Sequence, residues 1–303
     1  MARHRLFGYS AVVAVILATL IGRVARPSHA IPSTYPDGYV GELRQYKVGN
    51  RESLYEIARR FDLGFNEIQD ANPEVDPFLP KPGTLLTIPA AWIPPAVSGS
   101  ERPSVVVNLA ELRLFLFPKD SRSDILSFPI GIGDEGTDTP VGTYHIIEKT
   151  VSPYWRVPKS IRRQRPELPG VVPPGPENPL GSHALRLSRD SILIHGTNRP
   201  WGVGRRSSHG CLRLYPEDIA ELFQRVSKGM RVTIINQPVK IGVRDQRVFI
   251  ELHREQTETI GTGEVLHMMA ERGLLQRIDL GKLIRAVDEK KGYPVEISWA
   301  TGP

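Results

Sequence analysis

Apolar positions divide the chain into four regimes. From Leu6 to Gly22 they are nearly continuous. From Gln45 to Ile88 they recur at helical spacing between two short apolar runs. Pro89–Pro103, with Pro94-Pro95 and Gly99, interrupts the pattern and reads as a linker. From Ser104 onward, short runs rich in β-forming residues alternate with turns, which predicts a mainly β body.

The second regime reads as a small module of strand, helix, helix and strand. Tyr46-Lys47-Val48 is a short strand. Ser53-Leu54-Tyr55-Glu56 is a capping box, in which a hydroxyl and a carboxylate each take an otherwise orphaned backbone amide. The helix it opens places Leu54, Ile57, Ala58 and Phe61 on one stripe. A second helix carries Phe65, Ile68 and Ala71 and stops at Asn72-Pro73, because a residue before proline avoids helical dihedrals. Leu85–Ile88 closes the module.

In the body, Val105–Leu109 and Leu112–Phe117 predict a hairpin, and Ile125–Ile132 and Val141–Glu148 predict further strands. The turn-rich stretch Gly131–Gly142 lacks the Gly-Lys-Ser/Thr ending of a phosphate loop and is expected to line a cleft. Residues 151–180 hold eight prolines, a density expected to exclude regular structure and to leave an ordered lid beside a site. Ser191–Ile194 is a short strand ending at His195-Gly196. Pro216–Val226 reads as a helix, with proline at its start, acids in its first turn and Arg225 toward its end. Met230–Ile235 is a strand and Pro238–Arg254 a hairpin about Asp245-Gln246. Beyond Thr257, helical stretches at 263–272 and 280–290 and a strand at 294–298 predict an appended α+β subdomain.

Charge changes the picture at the N-terminus. The formal excess is +6, and Arg3, Arg5, Arg23 and Arg26 account for four of it, with no acids before residue 31. The nearly neutral remainder has no electrostatic footprint for nucleic acid. A basic head, an apolar run and the small-x-small sequence Ser28-His29-Ala30 form a secretory signal. Cleavage after Ala30 and retention as an uncleaved anchor both place the body outside the cytoplasm, in the periplasm or cell envelope.

Export makes the cysteine count informative. Exported chains use cysteines mostly in pairs, yet Cys211 is the only one, so no internal disulfide can form. It lies within Ser207-Ser208-His209-Gly210-Cys211-Leu212-Arg213-Leu214, two residues from one histidine and sixteen from His195. An imidazole can take a thiol proton and return it to a leaving amine. Gly210 lets a carbonyl approach the amides of His209, Gly210 and Cys211. Residue types alone leave His195 and His209 as equal candidates for the base. A zinc set of His183, His195, His209 and Cys211 has no recognised spacing, and a wall-binding protein without activity is the alternative outside enzymes.

Two resemblances sharpen this reading. Tyr46-Lys47-Val48, the helix spacing, Asn72-Pro73 and Lys81-Pro82-Gly83 resemble a LysM domain, which implies binding of peptidoglycan glycan strands through loops near Asn50–Ser53 and Asn72–Asp76. His195-Gly196 followed by Ser208-His209-Gly210-Cys211-Leu212-Arg213, with Thr139-Pro140-Val141-Gly142-Thr143-Tyr144, resembles the L,D-transpeptidase catalytic domain of the periplasmic enterobacterial type, a β-sandwich-like fold. That resemblance implies Cys211 as nucleophile and His195 as base, with the Gly196 carbonyl orienting the imidazole. It gives Ser208, His209 and Gly210 structural and oxyanion roles. Arg213, Trp155 and Trp201 are expected to meet substrate. No cofactor and no metal are implied. The partners implied are stem peptides and, as acceptor, another stem, an envelope-lipoprotein lysine or water. The expected domains are a signal at 1–30, a lead-in at 31–43, LysM at 44–89, a linker at 90–103, the catalytic domain at 104–235 and the subdomain at 236–303.

Overall fold

Two strands of the body are apolar at every position but their polar first or last residues, and such strands need cover on both faces. Val105 and Val107 point into one core with Leu114 and Leu116, while Val106, Phe115 and Phe117 point into another. The computed structural model describes residues 30–31, 38–96, 102–120, 125–189, 192–254 and 260–299. The signal segment up to His29 and residues 97–101 of the linker lie outside them. No helix among the described residues is long and apolar enough to cross a membrane.

The fold is mainly β. Its largest element is a curled nine-stranded sheet. The strand order is Ala30–Ile31, Ile125–Pro129, Arg113–Phe117, Ser104–Asn108, Arg231–Ile235, Gly142–Val151, His183–Leu187, Leu193–His195 and Leu212–Arg213. Most neighbours are antiparallel. Ser104–Asn108 runs parallel to Arg231–Ile235, and Leu193–His195 parallel to Leu212–Arg213. The helix Pro216–Arg225 covers the inner face with Ile219 and Leu222. Lys149 ends that helix by donating from Nζ to the carbonyls of Phe223 and Val226, both at 2.6 Å, where a cation also meets the negative end of the helix dipole.

The LysM-like module covers the outer face. Its strands Val40–Lys47 and Leu85–Trp92 flank the helices Leu54–Arg60 and Phe65–Ala71. Both strands are longer than expected: the first begins inside the lead-in, and the second runs through Pro89 into the linker. Pro89 is tolerated because this two-stranded sheet has only edges. The Ser53–Glu56 capping box forms as expected. Leu54, Ile57, Ile68, Leu86 and Ile88 share one core with Val106, Phe115 and Phe117, so the module is packed on the sheet.

A buried polar cluster pins that contact. Arg113, on the sheet, donates from Nε to Glu67 Oε1 at 3.1 Å, from Nη1 to Ser127 Oγ at 2.8 Å and from Nη2 to the Asp62 carbonyl at 2.8 Å. Its guanidinium lies 4.1 Å from the Trp92 ring centroid, and Trp92 Nε1 donates to Glu67 at 2.8 Å. A second cluster joins the C-terminal subdomain. Lys240 Nζ lies 2.7 Å from Glu111 and 2.8 Å from Glu251, and Glu251 also accepts from the amide of Ile93.

The subdomain matches its expected elements. Val239–Arg244 and Arg247–Leu252 form the hairpin, with Val295–Glu296 beside it and helices Thr262–Glu271 and Leu280–Glu289 across it. Asp245 and Gln246 both have positive φ, 49° and 64°, as a two-residue turn of the twist-compatible type demands.

The proline-rich segment corrects one expectation. It contains a hairpin of Trp155–Arg156 and Val171–Val172 and the short helix Lys159–Gln164. Its prolines fall outside these elements, Pro158 occupying the helix N-cap, where a missing amide costs nothing. The buried Asn178 side chain donates to the carbonyls of Pro153 and Pro173 at 2.8 and 3.1 Å and holds the segment together.

Candidate functional site: the 193–213 sheet edge

The register of one parallel strand pair builds the site. Ile194 pairs with Leu212 and His195 with Arg213, so Cys211 lies across from Leu193. Side chains two residues apart share a face. Ile194 and Leu212 point into the core, fully buried. His195, Arg213 and Cys211 therefore share the other face, with Cys211 and His195 as diagonal neighbours.

The imidazole tautomer follows from one contact. His195 Nδ1 lies 2.5 Å from the Gly196 carbonyl, which can only accept, so Nδ1 carries the proton and Nε2 is left as the acceptor. No hydrogen bond claims Nε2 among the described residues. Gly196 is required by packing: a Cβ there would stand 2.9 Å from Ile219 Cγ2.

Burial dominates the electrostatics. It lowers the His195 pKa to about 4, with the positive charge of Arg213 adding to the effect. It raises the Cys211 thiol above its ordinary value, against a backbone hydrogen bond from Leu193 and the charges of Arg213 and Arg186. Arg213 is itself lowered by burial. The resting pair at neutral pH is a thiol beside a neutral imidazole.

The loop that carries the cysteine is held from below. Ser208 Oγ donates to the Cys211 carbonyl at 2.6 Å. The amide of Asp134 and the hydroxyl of Thr137 donate to the Ser208 carbonyl at 2.8 and 3.0 Å, and Thr139 Oγ1 donates to the Gly210 carbonyl at 3.2 Å. Gly210 has φ +97°, a left-handed conformation that disfavours any side chain. The carbonyls of the loop are thereby turned toward Thr137 and Thr139. The amides of His209 and Gly210 donate to no backbone carbonyl among the described residues.

The loop is also stapled to the LysM-like helices on both sides of the motif. Upstream, the amides of Phe65 and Asn66 donate to the carbonyls of Val203 and Gly204 at 3.4 and 3.3 Å. Gly204 has φ +74°, and a Cβ there would fall 2.0 Å from the Phe65 amide nitrogen. Downstream, Tyr215 donates to the Leu63 carbonyl at 3.0 Å, and Arg59 makes a two-pronged pair with Glu217 at 3.0 and 2.9 Å.

The remaining sequence-derived positions fall as follows. His209 is exposed. Arg213 shares the Cys211 face, and its Nη1 lies 3.4 Å from Ser207 Oγ. Trp201 is exposed on the turn Pro200–Gly202, and Trp155 is half-buried in the hairpin of the proline-rich segment. No hydrogen bond or ring contact joins either tryptophan to Cys211 or His195 among the described residues. Sequence reasoning missed the individual parts of Thr137 and Thr139, although the Thr139-Pro140-Val141-Gly142 string was a visible signal. It missed Gly204 and Arg113 entirely.

The four residues weighed as a zinc set do not form the cluster that could hold an ion. Among the described residues that trio is Glu111, Glu251 and His253, and the Lys240 ammonium already stands between the two carboxylates.

Comparison with known proteins agrees with this architecture. Residues 102–234 match the L,D-transpeptidase catalytic domain, and residues 46–89 match the LysM domain. The probable L,D-transpeptidase YcfS of Escherichia coli (strain K12) is 36% identical over 274 residues, 85% of this chain and 84% of the relative. The probable L,D-transpeptidase YbiS of the same strain is 36% identical over 292 residues, 89% of this chain and 94% of the relative. The probable L,D-transpeptidase ErfK/SrfK is 37% identical over 263 residues, 82% and 83% of the two chains. On these matches the chain belongs to the L,D-transpeptidase family.

Proposed function

We propose that this L,D-transpeptidase works through a Cys211 thioester, with His195 moving the proton. The donor is a peptidoglycan tetrapeptide stem, cut between diaminopimelate and the terminal D-alanine. As Sγ attacks that carbonyl, the thiol proton passes to His195 Nε2. The C–S bond forms, the C–N bond breaks, and the D-alanine amine leaves with the proton from Nε2. An acceptor amine then attacks the thioester, loses its proton to Nε2 and forms the new C–N bond. The thiolate departs and takes that proton back.

The observation that carries this reading is the register that puts Cys211 and His195 on one face, with Nε2 unclaimed. The His209, Gly210 and Cys211 amides are the oxyanion donors, and one such donor contributes about 3 kcal/mol to the barrier. Ser208 and Gly210 shape that loop, and Gly196 fixes the imidazole. Arg213 is the candidate for a substrate carboxylate, because it is a cation on the same face as Cys211, where Arg186 is a second. Trp155 and Trp201 flank the entry. The LysM-like module holds the glycan strand, and the signal at 1–30 delivers the body to the envelope.

The test is purified protein with tetrapeptide muropeptides, products resolved by mass spectrometry. Cross-linked dimers or trimmed tripeptides, absent with Cys211→Ala, are expected. Turnover that survives Cys211→Ala would overturn the assignment.

A further inference from the structure

An amide stabilises a developing oxyanion only if it is already aimed at the place where the charge forms. A trans peptide points its carbonyl oxygen and the amide that follows in opposite directions. Whatever grips a carbonyl therefore also sets where the next amide points. The cysteine loop is gripped in this way by one segment, residues 131–139.

Backbone pairing frames the loop. The amides of Ile132 and Asp134 donate to the Arg205 and Ser208 carbonyls at 3.0 and 2.8 Å, and Gly131 exchanges two bonds with Arg213 at 2.8 and 2.9 Å. Inside that frame the Ser208 carbonyl has two donors, the Asp134 amide and the Thr137 hydroxyl at 3.0 Å. The Gly210 carbonyl is reached by the Thr139 hydroxyl at 3.2 Å. Both carbonyls face the same segment, so the His209 and Cys211 amides that follow them both face away from it.

The two grips differ in what they hold. Ser208 belongs to the strand Arg206–Ser208, paired with Ile132–Gly133, and its carbonyl keeps the Asp134 amide whatever Thr137 does. Gly210 has φ +97° and no side chain, so the peptides beside it turn at little cost. Thr139 is buried, and its hydroxyl is used twice. Its Oγ1 accepts from the Gly133 amide at 3.0 Å and gives its single proton to the Gly210 carbonyl. Gly133 is itself held close, since a Cβ there would overlap the Thr137 carbonyl oxygen. The series from the Gly133 amide through the Thr139 hydroxyl to the Gly210 carbonyl ends on the Cys211 amide. Each bond polarises the next, which makes that amide a stronger donor.

We infer that Thr139 is a positioning residue for the reaction: its hydroxyl locks the Gly210–Cys211 peptide with the Cys211 amide turned toward the oxyanion of the tetrahedral intermediate. The inference rests on the thioester reading and adds to it the device that keeps the oxyanion site formed before substrate arrives. Thr139 acts through the peptide rather than on the thiol.

The experiment uses the whole chain and reads two reactions of one sulfur. Turnover of tetrapeptide muropeptides passes through an oxyanion; alkylation by iodoacetamide does not. Thr139→Val and Thr139→Ala both remove the hydroxyl. They are expected to lower kcat by about tenfold to a hundredfold, less than the loss of a whole oxyanion donor, with KM within about twofold. The alkylation rate and its pH profile should stay within about twofold of wild type. Thr139→Ser restores the hydroxyl and should bring kcat back to within about threefold. Thr137→Val should cost less than about threefold, because the Asp134 amide still holds the Ser208 carbonyl. Unchanged kcat in a hydroxyl-free variant overturns the inference. So does a serine variant as slow as the valine one, or alkylation that falls in step with turnover. Failure of both hydroxyl-free variants to fold also overturns it, by making the hydroxyl a stability device. A wild type that still turns over after Cys211 is fully alkylated overturns the thioester reading instead.

Discussion

Two sets of buried polar side chains lie within this one fold, and they are treated in opposite ways. At the module contact, Arg113 and Glu67 are almost fully buried and almost fully satisfied by Ser127, Asp62, Trp92 and each other. At the sheet edge the satisfaction is thinner: buried His195 has only the Gly196 carbonyl and is pushed to about 4, and half-buried Arg213 has a long contact to Ser207 while its Nε has no hydrogen bond. Satisfied polar groups fix a structure, because breaking one partner leaves a desolvated charge. Unsatisfied ones are costly to keep, and such costs cluster where chemistry needs groups poised between states.

The largest effect that separates the two sets is on turnover. Cys211→Ala should lower transpeptidation by more than about a thousandfold, with thermal stability almost unchanged, if Cys211 is the nucleophile as proposed, since such a loss is rarely compensated. Product analysis beside a melting curve checks both halves. Arg113→Met should do the reverse, costing about 3–5 kcal/mol by leaving Glu67 buried and unpaired. Denaturant unfolding measures it, and a loss under 1 kcal/mol would show that the pair is not what fixes the module.

The His195 environment gives a smaller, pH-dependent effect. Its ordinary value is 6.5 and its folded value about 4. Between those limits the unfolded chain binds the extra proton, so stability falls as pH drops from 6.5 to 4, by about 3 kcal/mol in all. Asp70, raised by burial to about 6, acts in the opposite sense across much of that window. The difference between wild type and His195→Gln isolates the histidine: the variant's profile should lose the decline. Identical profiles would place His195 in contact with water.

Gly204→Ala should cost about 2 kcal/mol, because it strains a left-handed residue and intrudes on the Phe65 amide. Carbapenem acylation of Cys211, followed by mass, should slow in the same protein if the staple holds the loop. Arg59→Ala removes only a partly exposed pair with Glu217 and should cost less than about 1 kcal/mol, falling further in high salt.

Much of this was legible in the sequence, for a local reason. The capping box, the Asp245-Gln246 turn and the helix after Pro216 are written in adjacent residues. So is the Ser208–Arg213 motif, whose glycine announces a loop and whose lone cysteine is the proposed nucleophile. What escaped depends on pairs distant in the chain. Glu67 reads as an ordinary first-turn acid, and Arg113 as an odd charge at the head of a strand; only folding brings them together. Gly204 is required by a backbone from a different module. The continuous apolar runs of Val105–Val107 and Leu114–Phe117 did hold one unread clue: a strand apolar on both faces calls for a second layer, and the LysM-like module is that layer.

The proposed thioester is central, and its most direct measurement is the intact mass of the protein quenched during reaction with a tetrapeptide stem. The expected result is a covalent tripeptide-acyl adduct, the stem less its D-alanine, located on the fragment containing Cys211 and lost in Cys211→Ala. Continued turnover with no such adduct, or an adduct on any other residue, would contradict it.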